Sequence, residues 1–138
     1  MEEKNYQLKL NGFLIDNISF KTNRNFKWPK EPINVSPSFE RKITKINDDS
    51  ALVTLVFDIA QSDKMPFSLH VEINGSFELE KWEQDEISRT LIKDNASAVL
   101  FPYLRHAVSD ITTICGMPPY IMPIQNVAAL FQKNEANK

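Results

Sequence analysis

The sequence predicts an α+β domain: a four-stranded antiparallel sheet with a long helix and a short C-terminal helix packed on one face. Three observations carry that prediction. Before Glu80, apolar residues recur at every second position in three stretches and more sparsely on one side of a fourth. After Glu80 the apolar period lengthens to three and four residues. Gly116 and Pro118-Pro119 then stop the helical pattern.

Residues 5 to 20 supply the first strand. Tyr6, Leu8, Leu10, Leu14, Ile18 and Phe20 are apolar on even positions, interrupted by Gly12 and Asp16, which predicts one buried face. Phe13 and Ile15 load the other face, and Gly12 is the expected place for a bulge. In the second strand Val35, Phe39 and Ile43 fall on one side, with Glu40, Lys42 and Thr44 on the other. Asn47-Asp48-Asp49-Ser50 is turn chemistry. Beyond it Ala51, Val53, Leu55, Phe57 and Ile59 alternate with Leu52, Thr54, Val56 and Asp58. Ser62-Asp63-Lys64 reads as another tight turn. Phe67, Leu69, Val71, Ile73, Phe77 and Leu79 then share a face against Ser68, His70, Glu72 and Glu78. The last three strands form a meander, which the first joins through the longer segment from Lys21 to Asn34.

Ile87 and Leu91 predict a short helix, and Asp94 or Asn95 is placed to cap a longer one. Leu100, Leu104, Val108, Ile111 and Cys115 form its apolar stripe, which makes Cys115 a core thiol. Pro102 lies inside and should bend the helix, because it removes one backbone donor. Asn126 caps a last short helix carrying Val127, Leu130 and Phe131.

Composition excludes several function classes. The 138 residues make one domain, 1–138, with a short flexible tail from about 132 to 138. A formal net charge of −2 is wrong for a protein that neutralises a phosphate backbone, so no nucleic acid is expected as a partner. Gly12, Gly75 and Gly116 are too far apart for a Gly-rich phosphate loop, and no cofactor is expected. A single cysteine forms no intrachain disulfide and suits a reducing cytoplasm. The N-terminus has no apolar core of a signal peptide. Two histidines and one cysteine without close spacing make a poor metal site.

Two segments stand out. The 22 residues from Ile111 to Gln132 contain no Asp, Glu, Lys, Arg or His. Their glycine and prolines would break a spanning helix repeatedly, so membrane insertion is not expected. The centre of this stretch, Met117-Pro118-Pro119-Tyr120-Ile121-Met122-Pro123-Ile124, is either a satellite of the core or an apolar groove wall. The segment Lys21 to Lys30 interleaves Phe26 and Trp28 with cations. It reads as a platform for single-stranded nucleic acid, as a pair of anchors for a crossing loop, or as a groove edge facing the Tyr120 loop. Acid–base pairs are scarce: His70 has Glu72 two positions on, and His106 has Asp110 four positions on. A small α+β enzyme using His70 or His106 is the alternative of another class, with no nucleophile evident beside either ring.

The string Val99-Leu100-Phe101-Pro102-Tyr103 with Arg105, then Gly116-Met117-Pro118-Pro119, Pro123 and Val127-Ala128-Ala129-Leu130-Phe131, resembles the SecB family of bacterial protein-export chaperones. Asn17-Ile18-Ser19-Phe20, Phe26, Trp28 and Pro29 support the resemblance more loosely, and it runs from about Tyr6 to Phe131. It implies a cytoplasmic, ATP-independent holdase for unfolded polypeptide, not an enzyme. It also implies a homotetramer built as a dimer of dimers, with long helices sandwiched between paired sheets. The polar side of the helix (Arg105, Ser109, Thr112) would suit that packing. The implied client groove comprises Phe26, Trp28, Met117, Pro119, Tyr120, Ile121, Met122 and Ile124. Export members dock on the motor SecA through acidic strand positions, and here those positions hold Asn17, Lys21, Ser68 and His70, none a carboxylate. The tail after Phe131 is also shorter than the family extension that contacts SecA. The alternative within the family is a dedicated chaperone of a toxin–antitoxin pair, with the antitoxin as client.

Overall fold

The computed structural model describes residues 6–122, 127 and 129–131. Four strands, β1 (Lys9–Thr22), β2 (Ser38–Asn47), β3 (Ser50–Ile59) and β4 (Phe67–Glu78), precede two helices, α1 (Glu86–Thr90) and α2 (Ala96–Ile114). Val127, Ala129, Leu130 and Phe131 are again helical. The sheet is antiparallel in the order β1-β4-β3-β2. β2, β3 and β4 make the expected meander, and the segment after β1 crosses from one edge of the sheet to the other.

β3 and β4 keep strict alternation. Ala51, Val53, Leu55, Phe57 and Ile59 are buried, as are Phe67, Leu69, Val71, Ile73 and Phe77. β1 departs from the single even-numbered face read from sequence. Its pairing with β4 slips between Leu10 and Gly12 and again between Ile15 and Asn17. Each extra residue reverses the phase of the strand. Leu10, Phe13, Ile15, Ile18 and Phe20 therefore lie opposite Phe77, Gly75, Ile73, Val71 and Leu69, all toward the helices. The bulge expected at Gly12 is present. Phe13 and Ile15 do not load the other face; Leu14, opposite Asn74, does, and it is 70% exposed.

α2 crosses β3 and β4 and buries Leu100, Leu104 and Val108 against them. Gly75 marks a close approach of helix to sheet: a Cβ there would lie 2.9 Å from Phe77 Cε2 and 3.0 Å from Leu100 Cδ1. The helix runs through Pro102, which is exposed; the carbonyl it leaves unpaired, on exposed Ala98, can be solvated.

Three expectations about the helices are corrected. Neither Asp94 nor Asn95 caps α2. A π-helical turn, Leu91–Asn95, joins α1 to α2 continuously, and Asn95 has helical dihedrals with no side-chain cap bond. The side-chain cap belongs to Asp85, which accepts the Ser88 N–H at 2.8 Å at the start of α1. Cys115 is exposed, because it lies past the last helical turn, and the i+4 step from Val108 is taken by Thr112. Thr112 is accordingly buried, not on a polar outer side with Arg105 and Ser109. Ile87 is exposed and Ile92 is buried in the core.

Candidate client-binding site

α2 ends in a motif that launches the apolar loop at a fixed angle. Gly116, at φ +85°, donates its N–H to Thr113 O at 3.1 Å, and Met117 donates to Thr112 O at 2.9 Å. This is a Schellman cap, and its left-handed residue favours glycine. Thr112 holds the loop a second time, because its hydroxyl accepts the Tyr120 N–H at 2.9 Å.

The loop residues then divide. Met117 and Tyr120 are half-buried against the core, and the Tyr120 ring lies 6.1 Å from that of Phe57. Burial pushes the Tyr120 phenol above its ordinary pKa. Pro119 and Ile121 are exposed, Ile121 by 62%. Met122, read from sequence as a lining residue, is fully enclosed in the core. Ile124, like Pro123 and the Asn126 cap, lies outside the described residues, as does the tail from 132 to 138.

The crossing segment is tied to the β3–β4 turn. The Asn23 N–H donates to Pro66 O at 2.8 Å, and its side-chain amide donates to Met65 O at 3.0 Å. Its carbonyl oxygen accepts the Asn25 N–H at 3.2 Å, an Asx turn that starts the crossing. Phe26 and Trp28 stand edge to face, with ring centroids 5.2 Å apart. Trp28 is 57% exposed. Phe57 is near the end of β3 that leads into the same turn, so Tyr120 and Asn23 mark one end of the sheet. Among the described residues the only ring contact of Phe26 or Trp28 is with the other, so the two ribbons share that end without touching through their rings.

A residue that the sequence reading passed over clamps the neighbourhood. Arg41, in phase with Phe39 and Ile43, pairs with Leu55 on the core face of β2. Its side chain is 1% exposed and donates to Asp94 Oδ1 at 3.1 Å and to Lys93 O at 2.9 Å. The guanidinium also lies 5.4 Å from the centroid of Phe131, whose ring packs 6.1 Å from Phe39. Arg41 thus ties β2 to the π turn and to the last helix. The signal was present: a cation in step with the apolar positions of a strand.

Asn17, Lys21, Ser68 and His70 come together on the outer face, where Lys21 faces Ser68 and Ser19 faces His70. That face is not without carboxylates. His70 Nε2 meets Glu72 at 2.8 Å and Nδ1 meets Asp58 at 3.0 Å, so the ring's pKa is raised by the bond to Glu72 first and Asp58 second. Asp16, at the second bulge, accepts from Asn74. With both ring nitrogens taken by carboxylates, His70 has no nitrogen left to activate a neighbouring hydroxyl such as Ser19. His106 and Asp110 form an exposed pair at 3.0 Å. A cavity of about 920 Å³ opens at the other end of the sheet, lined by Lys9, Asn47, Asp49 and Glu80 among others, and includes none of these residues. Among the described residues no helix is long and apolar enough to cross a membrane, and no group of three or more His, Cys, Asp or Glu could hold a metal.

Residues 1–138 match the family model described as "Preprotein translocase subunit SecB". An uncharacterized protein of Methanocaldococcus jannaschii is 32% identical over 136 residues, covering 95% of this chain and 86% of its own. The protein-export protein SecB of Bartonella quintana is 33% identical over 115 residues, covering 81% and 69%. In fold, the chain is similar to the SecB-like chaperone Rv1957 of Mycobacterium tuberculosis, solved with a ChAD peptide from the HigA1 antitoxin. The TM-score is 0.67 at 17% identity, covering 86% of this chain and 90% of that one.

Proposed function

The chain belongs to the SecB family, and we propose that it is an ATP-independent holdase that captures unfolded polypeptide between the Phe26–Trp28 segment and the loop that starts at Met117. The observation that carries this reading is the placement of both apolar ribbons at one end of the sheet, with Trp28 and Ile121 more than half exposed. The antitoxin peptide bound by the M. tuberculosis neighbour supports a polypeptide as the client class. Met122, enclosed here, meets a client only when the loop shifts.

Weak, unselective capture follows from the energetics. Burying one Leu- or Phe-sized side chain is worth about 1.5–3 kcal/mol. A segment that inserts three or four gains roughly 5–12 kcal/mol gross on that scale, and ordering a disordered client removes about 2–5 kcal/mol. Several grooves acting on one long chain raise avidity by ~10²–10⁴. Oligomerisation is therefore part of the mechanism. Phe13, Ile15 and Ile18 of β1 face the helix side yet stay exposed, beside Val99 and Tyr103 of α2. Phe13 and Tyr103 lie 4.3 Å apart by ring centroid. Such a patch supports a homo-oligomer, which we take to be a cytoplasmic tetramer built as a dimer of dimers.

Within the family two roles differ in partner: export through SecA, or protection of an antitoxin. Asp58 and Glu72 beside His70 give the outer face some negative charge, although Asn17, Lys21, Ser68 and His70 themselves carry none. We favour holdase activity as the shared element. Purified protein should slow the aggregation of a denatured client without nucleotide. Trp28→Asp with Tyr120→Asp should abolish that protection while the oligomer mass is kept. Undiminished protection by the double variant would contradict the site.

A further inference from the structure

The crossing segment carries more charge than a scaffold requires. Arg24, Lys27 and Lys30 are exposed and, among the described residues, join no ion pair. Lys45, by contrast, meets Glu83 at 2.7 Å and Asp48 at 3.2 Å, and Arg41 meets Asp94. From Lys21 to Asn34 the one carboxylate is Glu31, and the sequence from Ile111 to Gln132 has no charge of either sign. A chain of net negative charge thus carries a locally positive rim at the end of the sheet where its apolar ribbons lie.

We infer that this rim selects clients, favouring apolar unfolded segments flanked by Asp or Glu over those flanked by Lys or Arg. The inference rests on the groove reading above and deepens it. Apolar residues of a client fill the ribbons while its carboxylates meet Arg24, Lys27 and Lys30, and like charge there is repelled. The same cations would attract single-stranded nucleic acid, but the geometry of the rings favours peptide. Phe26 and Trp28 stand at 85° to each other, so they offer no two parallel faces for successive bases.

The test uses three fluorescent peptides with one apolar core, flanked by Glu, by Ser or by Lys, titrated against the full chain. The Glu-flanked peptide should bind roughly five- to tenfold more tightly than the Lys-flanked one at low salt, with the gap closing near ~0.5 M salt. Arg24→Glu, Lys27→Glu and Lys30→Glu together should reverse the order. Equal binding of all three peptides, or preference for Lys flanks, overturns the inference and leaves the groove standing. Binding of none overturns the groove itself. An oligothymidylate that binds more tightly than the Glu-flanked peptide overturns the inference in favour of nucleic acid.

Discussion

The buried hydroxyl of Thr112 accepts the backbone N–H of Tyr120 at 2.9 Å, fastening the apolar loop to the helix it has just left. The same hydroxyl reaches Ser109 O at 2.9 Å and Val108 O at 3.1 Å, so its own proton stays within the helix. Thr112→Val keeps the shape and removes the acceptor. It should cost about 1–2 kcal/mol and speed amide exchange at Tyr120. Unchanged protection at that amide would show that the loop is held by packing alone.

Arg41 and Asp94 form a pair with one nearly dry partner. Asp94→Ala takes away the carboxylate that accepts from the guanidinium and should cost about 1.5–3 kcal/mol. Arg41→Met with Asp94→Leu should recover much of that loss, since a packed apolar pair has no desolvation penalty. Denaturant midpoints decide it, and a near-neutral Asp94→Ala would refute the clamp.

Gly75 is needed for space under Leu100. Gly75→Val should cost about 1–3 kcal/mol by overpacking. Leu100→Ala in the same chain should lessen that penalty, because two of the three nearest obstructing atoms belong to Leu100. Additive losses in the double variant would place the strain elsewhere.

His70 makes the outer face pH-sensitive. Its folded pKa is raised above 6.5 by Glu72 and Asp58, so its contribution to stability is full below about pH 6.5 and is lost as pH rises through the folded value. Relative to His70→Gln, the wild type should lose stability between pH 6 and pH 9, by about 1 kcal/mol or less for so exposed a group. A constant difference across that range would mean that the ring holds its proton no more tightly in the fold than in the unfolded chain.

Much of this fold is written in the period of its apolar residues. β3 and β4 are buried on one face and half-covered on the other, which is the pattern alternation reports best. β1 was harder, because each bulge inserts one residue, and of the two only the one beside Gly12 leaves a mark in the sequence. The join between α1 and α2 was hidden for a related reason. Asp94 looks like a cap, but its carboxylate is drawn to Arg41, a residue distant in sequence. The two ribbons were legible as composition, one without charge and one mixing aromatics with cations. The Thr112 anchor was not, because a threonine in step with an apolar stripe looks the same whether its hydroxyl holds a loop or bonds only within the helix.

The most direct test is photo-crosslinking from single positions to one unfolded client. A benzophenone side chain at Trp28 and another at Ile121 should each capture the client, and one at Glu40 on the outer face should not. Capture from Glu40 with silence at Trp28 and Ile121 would contradict a groove built from these two ribbons.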